Sequence, residues 1–440
     1  MADSTQQCTF NDTAAAEPVL ASASPSRAGG RWVVAGVDTH KDTHHVAVLD
    51  ALTGQRLGDM QVPATPAGYS RLLDFAAALG QVQMIGIEGT GSYGAGLARA
   101  LRAAGAPIRE VIRPKRSQRR RGKSDRIDAY AAAQQALAET ETLPIAKTGQ
   151  GQCEQIRVLL AERRSAVKAA TATKRQISAL IITAPAPLRT RLTGLNGPDL
   201  EGALTNTTDN TDADADNADA DATGRAVTAT TRQVLARLAR RQQALDQEIN
   251  DIDTQLHTLT QQAAPAMLAT KGYGPVTTAT LLVTAGDNPD RIHNEASFAA
   301  LCGACPIPAS SGKTNRHRLN RGGDRQANWA LHQVARSRLA HDPRTQAYAK
   351  RLAGRNKTPK DIMRCLKRAI AREAFHLLTN PPTPPRTDDL RKLRQQRGLT
   401  LTQAANHLGT HPPLISRLER GLHHDTALTN NYRQWLNTHP

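Results

Sequence analysis

Residues 31–140 carry a succession of segments that few folds can accommodate. Trp32-Val33-Val34-Ala35-Gly36-Val37 has the β-branched, apolar character of a strand, and His45 to Leu49 and Arg56 to Val62 repeat it after short polar turns, the second at Thr53-Gly54. A helical stretch from about Pro66 to Leu79 follows, then the strand Met84-Ile85-Gly86-Ile87 and a helix from Tyr93 to Ala104. A strand at Ile108 to Ile112 and a helix opening near Ser124 complete the series. The order is β-β-β-α-β-α-β-α. Strands joined by short turns pair antiparallel, whereas β-α-β units need parallel pairing, so the expected sheet is mixed, with helices packed on it.

The rest of the chain reads as helical, which makes the whole a multidomain α/β plus all-α protein. From Gln152 to Ile182 the apolar positions Ile156, Leu160, Val167, Ile177 and Ile181 fall at helical spacing. Leu238, Leu245, Ile252 and Leu259 recur every seven residues, with Ile249 and Leu256 four after the second and third, the pattern of a coiled-coil seam. Between them, residues 209–221 hold six aspartates among Ala, Asn and Thr. Such a stretch cannot bury enough apolar surface to fold, so residues 150–262 are expected to form a helical coiled-coil hairpin whose acidic loop, near 199–225, is disordered. Residues 263–379 return to a compact helical pattern. A Pro-rich linker (380–387, with Pro381-Pro382-Thr383-Pro384-Pro385) leads to a last module at 388–437.

The chain has 57 Lys and Arg against 39 Asp and Glu, a net charge of +18 that calls for an anionic partner. Residues 1–30, rich in Ala, Ser, Thr and Pro, lack the basic start and apolar stretch of a signal peptide and read as a disordered tail. Five scattered cysteines make no disulfide framework, and no apolar run suits a membrane span, so a cytoplasmic, nucleoid-associated protein is expected. Cys302 and Cys305 form one C-x-x-C without a second pair at metal spacing, and read as small core side chains.

Four acids of the first domain stand where a metal site needs them. Asp38 ends the first strand, Glu88 ends the fourth, and Asp125 and Asp128 share one face of the last helix at i and i+3. Oxygen ligands of this kind suit Mg²⁺ or Mn²⁺, and a pair of such ions can activate an attacking oxygen and stabilise a leaving one on a phosphodiester. The alternative is that each carboxylate only caps a turn or a helix. Just before the last pair come Arg113, Lys115, Arg116, Arg119, Arg120, Arg121 and Lys123, a basic run suited to holding a polyphosphate strand beside metals, or else a solvated loop. Lys271-Gly272-Tyr273-Gly274-Pro275, opening a helix, either presents backbone N–H groups to a phosphate or is simply a tight turn. Lys350 to Arg372 carries nine Lys and Arg against Asp361 alone, a nucleic-acid face.

The strings GVDTHKDTH, IGIEGTGSY, RGKSDRIDA and LCGACPIPASSGKTNRHRLNRGGDRQANWALH resemble the DEDD-type transposases of insertion sequences, the group described as RNA-guided bridge recombinases. The resemblance runs in order from about Arg31 to Leu378. It implies an RNase H-like, resolvase-like domain at 31–145, the coiled-coil insertion, and a helical transposase domain supplying a serine nucleophile. It further implies Asp38, Glu88, Asp125 and Asp128 as catalytic metal ligands, a composite site formed by different subunits on DNA, and a structured non-coding guide RNA. Ala309-Ser310-Ser311-Gly312 offers two serines, and the family's Ser-Gly step points to Ser311 over Ser310. Lys313, Arg316, Arg318, Arg321 and Arg325 around it can hold a scissile phosphate.

The terminal module resembles phage-repressor helix-turn-helix domains, with a second helix starting near Leu399-Thr400-Leu401-Thr402-Gln403, a turn at Gly409, and Arg417 in the recognition helix. Gln403 and Arg417 are its candidate DNA contacts. Pro412 and Pro413 stand where relatives carry base-reading side chains, and His411 is a further candidate reader. The expected activity is Mg²⁺-dependent, serine-mediated DNA strand exchange that moves the encoding element, by a homodimer assembling to a tetramer on DNA. The competing expectations are a metal-dependent junction nuclease without a covalent intermediate, and a DNA-binding repressor with decayed catalytic domains.

Overall fold

The computed structural model describes residues 30–111, 124–205, 222–288, 291–312, 317–382, 386–421, 423 and 425–438. The N-terminal tail, the basic run Arg113 to Lys123, the aspartates of 209–221, Lys313, Arg316 and part of the Pro-rich linker therefore lie outside the described residues.

The first domain follows the expected order: β1 (Trp32–Thr39), β2 (Thr43–Asp50), β3 (Arg56–Pro63), α1 (Pro66–Leu79), β4 (Gln81–Glu88), α2 (Ala95–Ala103), β5 (Ile108–Val111) and α3 (Asp125–Ala138). The sheet order is β3-β2-β1-β4-β5, with β1, β2 and β3 antiparallel in sequence and β4 parallel to both β1 and β5. β1 is buried on both faces, which is why it reads as a continuous apolar run rather than an alternating one. Val33, Ala35 and Val37 pack with Leu72 of α1 and Leu97 and Leu101 of α2, while Val34 packs with Ala132 and Ala136 of α3. The sheet is thus the middle layer of three.

Helix α3 comes unusually close to the sheet because its inner face is Ala129, Ala132, Ala133 and Ala136 and the strand beneath it has a glycine. A β-carbon on Gly36 would lie 2.0 Å from the Ala133 nitrogen, so only glycine fits there. Ser124 caps the helix, its hydroxyl accepting from the Ile127 N–H at 3.3 Å. The contact with Gly36 and this start together place the first turn of α3, with Asp125 and Asp128, over the end of β1.

The described residues fall into two compact units, one within residues 30–155, 262–273 and 280–438 and one within residues 156–261 and 274–279. The second unit is built on the long helices α4 (Gly151–Thr183) and α7 (Ala222–Ala263). They run antiparallel, since Arg163 pairs with Asp253 at 2.5 and 3.0 Å and Lys174 with Asp246 at 3.7 Å. Two expectations change here. The segment read as a loop near 199–225 is helical at α6 (Gly197–Thr205) and again from Ala222, with α5 (Ala186–Leu192) before it. Leu188, Leu192 and Leu204 pack on Ile177, Leu235 and Ala239, and this burial holds the segment that precedes the aspartate-rich stretch. The deepest stripe of α7 runs through Leu235, Ala239, Gln242, Ile252, Leu256 and Thr260, so Leu238, Leu245 and Leu259 of the heptad series flank it half-buried.

In the first unit, α8 (Pro265–Leu268) and the end of α9 (Pro275–Ala285) lead to α10 (Glu295–Leu301), α11 (Arg325–His341), α12 (Pro343–Ala353) and α13 (Pro359–Thr379). Helix α13 packs against both α10 and α11 through Ile362, Leu366, Ile370 and Ala374. One departure from an all-helical reading is a minimal hairpin, β6 (Ile307–Pro308) with β7 (His317–Arg318). The last module consists of α14 (Leu390–Gln396), α15 (Leu401–His407), α16 (Pro412–Glu419) and α17 (Thr426–Thr438) around Leu390, Ala404, Ile415, Leu418 and Tyr432.

Candidate active site

Val37 of β1 is paired with Ile87 of β4, so Asp38 and Glu88 are neighbours at the same end of two parallel strands. The Thr39 hydroxyl locks this end by donating to the Glu88 carbonyl at 2.8 Å. Asp38 is 1% exposed, and Glu88 and Asp128 are also buried, while Asp125 is half-exposed at the start of α3. The β1–β2 turn, closed by the His40 N–H donating to the Thr43 carbonyl at 3.1 Å, brings in a fifth side chain. His40 Nε2 lies between the two carboxylates, 3.1 Å from Asp38 Oδ2 and 3.2 Å from Asp125 Oδ1.

Asp38, His40 and Asp125 offer donor atoms all within 4.8 Å of one another. Asp128 acts electrostatically on Asp38, and Glu88 stands on the adjoining strand; neither belongs to that tightest group. Burial holds the Asp38 carboxyl above its ordinary range; His40 pulls it back, and Asp128 and Asp125 push it further up. Crowded, desolvated carboxylates of this kind are costly alone and are offset by a bound cation. The donor set of carboxylate oxygens with one imidazole nitrogen fits a divalent ion. The sequence does not single out His40, because a histidine in a turn between strands has no distinguishing spacing. It stands two residues beyond Asp38 in GVDTHKDTH, and that adjacency was the available signal.

A second polar cluster braces the outer strands. Asp59 of β3 lies 3.0 Å from His45 Nε2 and accepts from Arg126 Nε at 2.8 Å and from the Tyr130 hydroxyl at 3.1 Å. Burial would raise Asp59, but His45, Tyr130 and Arg126 outweigh it and hold the carboxyl below its usual range. Arg126 and Tyr130 belong to α3, so this cluster fixes the same helix turn that carries Asp125 and Asp128.

Ser310 and Ser311 are both exposed, at the end of β6. Arg318 is exposed on β7, opposite Ile307, and Arg321 and Arg325 are exposed between the hairpin and the first turn of α11. Cys302 is buried and its thiol is pushed up to about 12, chiefly by burial, so it stays protonated and acts as a core side chain. The turn at Gly274 is largely self-satisfied: the Gly274 N–H donates to the Thr277 hydroxyl at 2.9 Å, and the Tyr273 N–H is used by the Thr270 carbonyl at 3.3 Å. Those two donors are therefore not open to a phosphate, which favours the tight-turn reading.

In the last module the buried Arg394 binds Glu419 at 2.6 and 3.0 Å, and Glu419 also accepts from the Tyr432 hydroxyl at 2.7 Å. Gln403 forms a capping box with Thr400, its side-chain oxygen accepting from the Thr400 N–H at 2.8 Å. That engagement leaves only its amide nitrogen for a DNA contact. Arg417 is exposed on α16, which opens with Pro412 and Pro413.

Comparison with known families agrees with this arrangement. A DEDD-type transposase model of the IS110 kind matches residues 35–183, a model described as transposase, IS116/IS110/IS902 family, matches residues 264–350, and a helix-turn-helix model matches residues 388–427. No curated protein matches the chain. Among the described residues no helix is long and apolar enough to cross a membrane. Two transposase models falling in order on the carboxylate domain and on the serine-bearing helical domain, with DNA as the partner that both they and the last module imply, show that the chain belongs to the IS110 family of transposases.

Proposed function

We propose that this transposase exchanges DNA strands through a phosphoserine linkage made by Ser311, with Asp38, Glu88, Asp125 and Asp128 holding Mg²⁺ or Mn²⁺. The observation that carries the metal half is the convergence of Asp38, His40 and Asp125 at the sheet end, with Asp128 beside them. The serine half rests on the exposure of the Ser310-Ser311 step among Arg318, Arg321 and Arg325. In the reaction Ser311 Oγ attacks phosphorus and gives up its proton. One P–O bond of the phosphodiester breaks, and the departing nucleoside oxygen takes a proton. The phosphoserine ester keeps the bond energy, so a strand-end hydroxyl can attack it, restore the serine and reseal DNA without a nucleotide cofactor. The exposed arginines hold the phosphate and absorb its growing charge. A divalent ion bound by the four acids would supply further charge neutralisation and polarise a phosphoryl oxygen.

The domain boundaries, the coiled-coil character of the hairpin, assembly as dimers joining into a tetramer, and a structured RNA as guide belong to the same proposal. A recombination assay on the element's own ends tests it. Asp38→Ala and Ser311→Ala are each expected to abolish joined product while retaining DNA binding. Full activity of Ser311→Ala would remove Ser311 from the mechanism. Sequencing the nucleic acid that co-purifies from the native locus tests the guide: a discrete RNA from the flanking non-coding DNA supports it, and heterogeneous RNA counts against it.

A further inference from the structure

Helix α11 bears an aromatic side chain that its position does not explain as core. Ala327, Ala330, Leu331, Val334 and Ala335 form its buried face. Trp329 lies on the other side and is 42% exposed, in a chain whose aromatic content is only 3%. Counting by turns, Arg325, Trp329, His332 and Arg336 at i, i+4, i+7 and i+11 form one stripe, with Arg325 and Arg336 exposed at its ends. Alongside runs a second basic stripe, Lys360, Arg364 and Lys367 on α13. It is fastened to the first at Asn328, next to Trp329, whose side-chain oxygen accepts from Lys367 Nζ at 2.8 Å. Burial lowers the His332 imidazole, and the nearby Lys367 and Arg336 cations lower it further, so the stripe holds a neutral ring between fixed positive charges.

The same asparagine ties the stripe to the serine hairpin. Asn328 Nδ2 donates to the carbonyls of Cys302 and Gly303 at 3.0 and 3.1 Å, where the chain leaves α10 for β6. The returning strand passes Gly303 so closely that a β-carbon there would lie 2.7 Å from the Gly322 carbonyl oxygen, and one on Gly323 2.5 Å from the Gly303 nitrogen. The arm bearing Ser310 and Ser311 therefore springs from a pinched neck held by Asn328 in the first turn of α11, the residue before Trp329.

We infer that Trp329 is a stacking platform for an unpaired nucleotide, with Arg325, Arg336 and Lys367 holding the adjoining phosphates of a single strand. Duplex DNA offers base edges in its grooves and keeps the base faces covered, so an exposed indole among cations gains most from a base already out of the stack. Strand exchange creates such bases beside the nucleophile, and to that extent the inference rests on the function proposed above. Its chemistry is shared by single-stranded DNA and RNA.

The test is equilibrium binding by the full-length protein of fluorescein-labelled oligothymidylate, oligouridylate of equal length and a duplex of equal length, at one fixed salt concentration. Trp329→Ala is expected to weaken single-strand binding by roughly 5- to 150-fold, the range supplied by stacking one base on an aromatic ring, and to leave duplex binding within about twofold. Trp329→Phe should recover most of the loss, and thermal melts should coincide with wild type. A loss on oligothymidylate alone assigns the platform to a DNA strand, and a loss on oligouridylate alone to RNA. Unchanged single-strand affinity in Trp329→Ala overturns the inference, as does an equal loss on the duplex or a loss that Trp329→Phe fails to recover. No arm depends on cleavage, so failure of the serine mechanism would leave this reading standing or falling separately.

Discussion

At the residue scale the site is a balance between function and stability, most visibly at Asp38. Its carboxyl is raised above 3.8 in the folded protein by burial, against the pull of His40 and with the push of Asp128 and Asp125. A folded-state value above the unfolded one means that the folded state binds the proton more tightly. The metal-free protein therefore loses stability as pH rises from about 3.8 through the raised value, and the loss persists at neutral pH. Asp38→Asn removes that cost and should raise the melting temperature in EDTA at neutral pH, each ~1 kcal/mol relieved being worth roughly 4 °C for a domain of this size. Adding Mn²⁺ should raise the melting temperature of the wild type and leave that of Asp38→Asn unmoved. A wild type indifferent to Mn²⁺ and Mg²⁺ would argue against a metal at this site. His40 shows where residue-level reading of a sequence stops: the carboxylates were recognisable by their strand-end and helix-face positions, but a turn histidine is placed beside them only by the backbone of the β1–β2 hairpin.

At the element scale the chemistry depends on how closely α3 lies on β1. Gly36 permits that contact, and Ser124 and the Asp59 cluster fix the start and first turn of the helix. Gly36→Ala must push the Ala133 backbone away and carry Asp125 and Asp128 from Asp38. We expect a destabilisation of about 1–3 kcal/mol, as for other overpacked cores, with a loss of metal-induced thermal stabilisation beyond what the lower stability explains. Unchanged metal response in a folded Gly36→Ala protein would show that the helix does not set the site. The element order of this domain was legible because period and run length distinguish strands from helices, and because short turns and crossovers dictate pairing. The β6–β7 hairpin was not legible, since strands of two residues leave no periodic trace. Helix α6 is obscured by the aspartates that follow it, although Leu200 and Leu204 stand at the i, i+4 spacing of a packed face.

At the scale of the whole molecule, the +18 charge is distributed according to the work of a transposase. Exposed cations flank the serine hairpin and line α13, while acids converge at the sheet end, so cationic and acidic surfaces are separate in the sequence. The appended module adds a DNA-binding fold whose Arg394–Glu419–Tyr432 core is self-contained. On the proposed mechanism strands are exchanged through a covalent serine intermediate that needs the acidic site. Its most direct measurement is denaturing electrophoresis of end-labelled DNA after incubation of the full-length protein with the element's ends and Mg²⁺ or Mn²⁺. Labelled DNA is expected to migrate with the wild-type protein and with Ser310→Ala, and to run free of protein, because no linkage forms, with wild type in EDTA, with Asp38→Ala and with Ser311→Ala. Cleaved DNA with no attached protein in Mg²⁺ or Mn²⁺ would rule out the phosphoserine intermediate and leave metal-assisted hydrolysis in its place.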